Sequence, residues 1–265
     1  MKRYIFALLC FAAFKVNAQT TGDTTKNITA DTIKKDQVVT VDTVKKSRNN
    51  LTSFIFPAAL ITYGVSSFVI HPVRQFDYYL NDKIEASDRN FHSNAETFFL
   101  FTPIVMVYGL NLAGVDGKNN FVDRTALLGL SAGFVGVSED IVKHVSHRLR
   151  PNGEDYYSFP SGHTGLAFMG AEYLAEEYGD KSIAYPIIGY TFAVATGVFR
   201  MYNRDHWFSD VVAGAGFGIL STRGAYLLYP YIKKALTRTD KHGRKTTFVP
   251  TYQNGTAGLS FAMQL

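Results

Sequence analysis

The 265 residues are 46% apolar with a mean hydropathy of −0.02, which excludes both a disordered tail and an obvious bundle of membrane spans. Charged residues make up 18% and aromatic residues 14%, and 27 Lys and Arg against 22 Asp and Glu leave a formal charge of +5. Such a balance suits nucleic acid, an anionic membrane or a phosphorylated substrate, so the placement of the charges has to decide.

Lys2 and Arg3 precede the apolar stretch Tyr4 to Phe14, and Val16-Asn17-Ala18 offers small residues for cleavage. Residues 1–18 therefore read as a secretory signal peptide, too short in its apolar part for the ~20 residues of a membrane span. Cleavage removes Lys2, Arg3, Lys15 and the sole cysteine, Cys10. The mature chain then has no disulfide, no thiolate metal site and no cysteine nucleophile. Residues 19–50 are rich in Thr, Lys and Asp and carry a near-repeat, Asp31 to Lys35 and Asp42 to Lys46, the composition of a flexible tether.

From residue 51 the composition changes. Apolar stretches at 51–70, 97–115, 124–142, 164–175, 183–199 and 211–232 follow one another with short polar connections. They predict an all-α bundle of about six helices, membrane-associated, over residues 51–232. Closely spaced Ala213, Gly214, Ala215, Gly216 and Gly218 suit tight helix packing. Residues 233–265 form the last segment: a basic run from Lys233 to Lys245, then Asn254-Gly255 as a hairpin signal with alternating Leu259, Phe261, Met263 and Leu265, a short β-hairpin-like tail.

The chemistry lies in the polar residues at the ends of these helices. Lys143 and Arg150, two turns apart, come near one face before Pro151 stops the helix. Pro160-Ser161-Gly162-His163 opens the next apolar stretch, where unpaired backbone N–H groups and the helix dipole favour an anion. The chain runs out, turns near Gly179-Asp180 and returns with Arg200; His206 and Asp210 then form an i,i+4 pair at the start of the last helix. Helix direction thus gathers Lys143, Arg150, Ser161, Gly162, His163, Arg200, His206 and Asp210 at one end. Three cations and an amide nest neutralise phosphoryl oxygens without a metal. One imidazole held by a carboxylate can attack phosphorus and the other can protonate the leaving oxygen; His206 with Asp210 suits the first task and His163 the second.

Lys143-x6-Arg150-Pro151, Pro160-Ser161-Gly162-His163 and Arg200-x5-His206-x3-Asp210 resemble the three ordered motifs of the type 2 phosphatidic acid phosphatase and vanadium haloperoxidase superfamily. The likeness covers 143–210, with helical surroundings from about 97 to 232. It implies that Lys143, Arg150, Ser161, the Gly162 amide and Arg200 bind phosphate. It further implies that His206 becomes a phosphohistidine, that Asp210 orients it, that His163 is the general acid, and that neither metal nor cofactor takes part. The family usually has serine where this chain has Phe199, so a supporting hydrogen bond is replaced by packing.

Arg148 and Arg204 are candidate headgroup contacts. His144, His147, Asp155 and Asp205 read as solvated surface, Glu139 and Asp140 as partners of nearby bases, and Glu172, Glu176 and Glu177 as the wet end of a short helix. A metal held by His144, His147 and His163 is disfavoured by the cations around it. The expected activity is a phosphatase for a membrane lipid phosphate or diphosphate, such as phosphatidic acid, a polyprenyl diphosphate or a phosphorylated glycolipid. Nucleic acid is excluded as a partner by the local clustering of charge. The rival readings are a secreted acid phosphatase for soluble esters, a vanadate-dependent haloperoxidase, and a lipid-binding envelope scaffold. The expected location is the cell envelope with the site facing the periplasm, because positive residues of the Lys233 to Lys245 run favour the cytoplasm. That orientation conflicts with export of residue 19 followed by three crossings, so at least one apolar stretch is expected not to cross.

Overall fold

The computed structural model describes residues 52–239, 245–253 and 256–263, all within one compact unit that spans residues 47–265. The signal segment 1–18, the tether 19–50 and the Asn254-Gly255 turn lie outside the described residues. Seven helices follow in chain order: α1 (Ile55–Ser66), α2 (His71–Ser87), α3 (Ala95–Leu112), α4 (Phe121–Ser146), α5 (Gly162–Tyr178), α6 (Ala184–Tyr202) and α7 (Phe208–Leu236). A short antiparallel sheet completes them, with β1 (Thr237–Thr239), β2 (Lys245–Gln253) and β3 (Thr256–Met263) in the order β1-β2-β3. β2 and β3 pair from Gln253 with Thr256 to Thr246 with Met263, the hairpin expected of the tail.

The bundle has one helix more than expected. The stretch 51–70 splits into a short 3-10 turn at Thr52–Phe54 and α1, after which the chain bends by 85° into α2. α2 starts with Pro72 in its first turn, a position that needs no backbone donor. Apolar runs alone could not reveal it, because α2 is amphipathic: Arg74, Asp77, Asp82, Lys83 and Glu85 interrupt its apolar residues before any long run can form. α7 also runs past Pro230 to Leu236, where the basic segment was expected to begin outside the bundle.

α5 is the central element and packs against α3, α4, α6 and α7. It crosses α7 so closely that a Cβ on Gly218 would lie 2.2 Å from the Gly165 carbonyl oxygen, and one on Gly214 2.5 Å from that of Ser161. Gly214 and Gly218 of the small-residue stripe thus meet α5, while Ala213 and Gly216 meet Gly64, Pro57 and Ile61 of α1, the tight helix packing that the stripe suits. Apolar packing about α5 includes Val107, Leu127, Tyr173, Leu174 and Tyr178, all essentially inaccessible. Glu172 and Glu177 are not a wet helix end: both are buried, paired with Arg223 at 2.6 Å and Arg124 at 3.4 Å, because α4 and α7 cover that end of α5 with cations.

The outside of the bundle carries many large apolar side chains. Phe98, Val105 and Leu112 of α3, Val122 and Val137 of α4, and Ile187 and Val194 of α6 are all exposed. A soluble protein rarely leaves such a continuous surface in water. α3, α4 and α7 are long and apolar enough to cross a membrane, and the bent pair formed by the α1 segment and α2 adds a fourth candidate. The fold is a membrane-embedded helical bundle.

Candidate functional site

The ends of α4 and α6, the beginnings of α5 and α7, and the loops beside them meet at one end of the bundle. The close α5–α7 crossing fixes their first turns, and the Ser161 amide donates to the Asp210 carbonyl at 3.0 Å. Lys143 sits in the last turn of α4. Its Nζ donates to the Pro160 carbonyl at 2.6 Å and to that of Tyr157 at 2.9 Å, which ties the base to the loop leading into α5. Arg150 donates from Nε to Asp155 at 2.7 Å and from Nη1 to the Asp205 carbonyl at 3.3 Å. Arg200, in the last turn of α6, pairs with Asp205 at 2.8 Å and Glu96 at 3.3 Å. Its Nε is buried with no acceptor among the described residues.

Gly162 and His163 form the first turn of α5, where backbone N–H groups have no helical acceptor. Ser161 is fully buried, its hydroxyl paired with that of Thr164 at 2.9 Å. His163 is half-buried and His206 almost wholly buried. Arg200, Lys143 and Arg150 all act electrostatically on both imidazoles. Burial first, and then these cations, hold His206 well below the ordinary histidine value of 6.5; the Ser158 carbonyl pulls weakly the other way. Burial and Arg200 lower His163 as well, opposed by Glu96. The expected residues Lys143, Arg150, Ser161, Gly162, His163, Arg200, His206 and Asp210 therefore do come together.

Their internal connections differ from the expectation in three ways. His206 Nδ1 lies 3.9 Å from Asp210 Oδ2, beyond hydrogen-bond reach, and 2.7 Å from the Ser158 carbonyl. A carbonyl only accepts, so Nδ1 carries the proton and Nε2 keeps its lone pair. Asp210 acts one step back: it accepts from Ser158 Oγ at 2.5 Å and from the Trp207 amide at 2.9 Å, which fixes both residues beside His206. Arg148 does not reach outward to a headgroup. It lies inside the protein and bridges Asp210 and Asp77, each at 2.7 Å. Arg204 likewise pairs with Glu85 at 3.1 Å and donates to the Pro151 carbonyl.

Three acids that chain order does not single out partner the site's cations: Asp155 for Arg150, and Asp205 and Glu96 for Arg200. Asp155 and Asp205 are thus not the free surface residues expected of solvated loops. Burial raises Asp205, with Arg200 opposing; burial also pushes Asp155 up, but the Arg150 hydrogen bond and its neighbours hold it below the usual range. Glu139 is buried beside Gly162 and Lys143, with Oε1 unpartnered among the described residues. His144 and His147 point to Tyr157 and Tyr156 at the surface, not into the site. Phe199 packs between Phe91 and Phe99, ring centroids 6.0 and 5.5 Å away.

Residues 124–234 match the model of the PAP2 superfamily, a span that contains every residue of the assembled site. The chain is 34% identical over 132 residues to a lipid A 1-phosphatase of Porphyromonas gingivalis, covering 49% of this chain and 30% of that protein. It is 28% identical over 143 residues to a probable lipid phosphate phosphatase 4 of Arabidopsis thaliana, covering 46% of each. The chain thus spans less than half the length of these curated relatives. The fold is similar to the crystal structure of a transmembrane PAP2 type phosphatidylglycerolphosphate phosphatase from Bacillus subtilis. The TM-score is 0.50 at 18% identity, over 70% of this chain and 98% of that one.

The geometry predicts that His206 is a neutral ring with its proton on Nδ1 down through pH 6.5, because burial and three cations disfavour the imidazolium. Ring-nitrogen chemical shifts of histidine-labelled protein in detergent measure this. An imidazolium at pH 6.5, or a proton on Nε2, would contradict it.

Proposed function

We propose, from the premise that residues 124–234 belong to the PAP2 superfamily, that this chain hydrolyses a phosphate ester or diphosphate of a membrane lipid through a phosphohistidine on His206. The observation that carries the reading is the unpaired Arg200 Nε buried beside two imidazoles on which three cations converge. A buried donor without an acceptor costs about 1–3 kcal/mol. A phosphoryl oxygen supplies that acceptor, while the first amides of α5 and Lys143 and Arg150 take the others. The apolar exterior and the names of the relatives support a lipid as the carrier of that phosphate.

The steps follow from the protonation pattern. Nε2 of His206 attacks phosphorus in line with the leaving oxygen; the P–N bond forms and the P–O bond breaks. The Nδ1 proton stays hydrogen-bonded to the Ser158 carbonyl, which accommodates the positive charge growing on the ring. His163 gives a proton to the departing oxygen. Its imidazolium is disfavoured in the free site, but the incoming phosphate offsets Arg200, Arg150 and Lys143 and restores it. In the second half His163 takes a proton from water, whose oxygen attacks phosphorus, and the P–N bond breaks to release inorganic phosphate and the original ring. No metal is needed to neutralise the equatorial oxygens, since three cations and backbone amides already surround them.

His206→Ala is expected to abolish phosphate release. His163→Ala should slow phosphoenzyme formation, read as the first-turnover rate of leaving-group release, about 10²–10⁴-fold for an alkyl phosphate lipid, whose leaving oxygen needs a proton. For p-nitrophenyl phosphate, which leaves without one, the loss should be less than about tenfold. An equal loss on both substrates would remove His163 as the general acid, and release only from soluble esters in the wild type would remove the lipid.

We further propose that the catalytic end faces the periplasm, opposite the basic run that follows α7. The start of α1 and the end of α7 both lie away from the site: Arg223, in the second half of α7, donates to the Ser53 carbonyl, so α1 begins on the side where α7 ends. The basic run that follows α7 is what supports this orientation. Glu154→Cys in a Cys10→Ser background, placed in the exposed loop before α5, should react with an impermeant maleimide in spheroplasts; labelling only after lysis would reverse the orientation.

A further inference from the structure

α2 lies across the catalytic end, and Asp77 is its one buried residue. Asp77 is 1% exposed. One carboxylate oxygen accepts from the backbone N–H of Ser209, in the first turn of α7, at 2.9 Å; the other accepts from the Ser209 hydroxyl at 2.6 Å and from Arg148 at 2.7 Å. Asp77 therefore caps α7 from a different helix, at the terminus where a carboxylate interacts best with the helix dipole. The same guanidinium donates to Asp210 at 2.7 Å and to the hydroxyls of Ser67 and Ser209. Two buried carboxylates thus share one cation, and neither can lose it without leaving an unpaired buried charge.

We infer that Asp77 is a positioning residue for His206, acting through Arg148, Asp210 and Ser158. The links are continuous: Asp77 to Arg148, Arg148 to Asp210, Asp210 to the Ser158 hydroxyl, and the Ser158 carbonyl to His206 Nδ1, with no gap longer than 2.7 Å. Removing the charge on Asp77 frees Arg148 to lean wholly on Asp210. That shifts the carboxylate that holds Ser158, and the nucleophile's lone pair loses its alignment with phosphorus. A misplacement of about 1 Å costs on the order of 10²-fold in rate. α2 is held to the same end by Phe76 and Tyr78, packed edge-on against Phe208 and Trp207, and by the Glu85–Arg204 pair. The helix is thus a structural brace of the site, and its buried Asp77 connects to the nucleophile through Arg148, Asp210 and Ser158. Lys143, Arg150 and Arg200 have no part in this chain, so phosphate binding should be insensitive to it.

The inference rests on the proposed phosphatase reading, and the test separates the two. Full-length protein in detergent is assayed with a lipid phosphate and with inorganic phosphate as competitor. Asp77→Asn should lower kcat at least tenfold, with KM and the inhibition constant for inorganic phosphate within twofold of wild type. In a double-mutant cycle with Arg148→Gln, the pair should lose little more than Arg148→Gln alone. Ser209→Ala, which keeps every charge, should show a smaller loss with the same split and serves if Asp77→Asn does not fold. Unchanged kcat, a matching rise in KM and the phosphate constant, or additive losses in the cycle would each overturn the role of Asp77. A wild type that releases no phosphate from any ester would instead overturn the phosphatase reading.

Discussion

Asp210 sits fully buried in the first turn of α7, where its side chain takes donors from three other places in the chain: the Arg148 guanidinium, the Ser158 hydroxyl and the Trp207 amide. Breaking a buried charge pair of this kind by removing one partner costs about 3–5 kcal/mol, so the three attachments hold or fail together. Through them the two ends of the loop between α4 and α5 and the start of α7 become one rigid piece. The His206 ring is then oriented by a backbone carbonyl, whose place depends on Asp210. A carboxylate set one residue away from the ring also keeps its negative charge from pairing directly with the imidazole, which leaves burial and the cations to decide that the free ring is neutral.

The cations of the site are balanced at rest. Arg150 leans on Asp155, Arg200 on Asp205 and Glu96, Arg204 on Glu85, and Arg148 on two aspartates. Without those acids, several like charges in a half-buried pocket would repel one another and disfavour folding. In the proposed reaction an incoming phosphate would find donors already oriented, with the unpaired Arg200 Nε gaining an acceptor. On the proposed reading the site would recognise an anion by preorganised hydrogen bonding more than by excess charge, in keeping with the small net charge of the whole chain.

Much of the site was legible in the residue order because helix direction is a simple geometric consequence of apolar run length. The runs ending at Lys143 and Arg200, and those opening at Gly162 and Phe208, must bring their polar ends together if the helices pack antiparallel. The stripe from Ala213 to Gly218 likewise announced close packing about the last helix, though not that α5 and α1 would share it. What stayed hidden depends on side-chain reach across segments. Asp77 is one acid in a polar stretch between two apolar runs, and only the 85° bend after α1 brings it over α7. Its signal was the amphipathic spacing of 71–87, which a search for apolar runs passes over. Arg148 and Arg150 differ by two residues, and the left-handed His147 before them turns one inward to the carboxylates and leaves the other at the site. Glu172 and Glu177 read as exposed because charge suggests water, whereas Arg223 and Arg124 wait for them on neighbouring helices.

The central claim is that phosphorus is transferred to Nε2 of His206. Rapid mixing of His163→Ala with a radiolabelled phosphate ester having a good leaving group, quenched in alkali, tests it most directly, because that variant should form the phosphoenzyme yet hydrolyse it slowly. The account predicts stoichiometric, acid-labile and alkali-stable label on the peptide containing His206, absent when His206→Ala is added. Phosphate release at the wild-type rate with no labelled protein at any mixing time, or label on another residue, would contradict it.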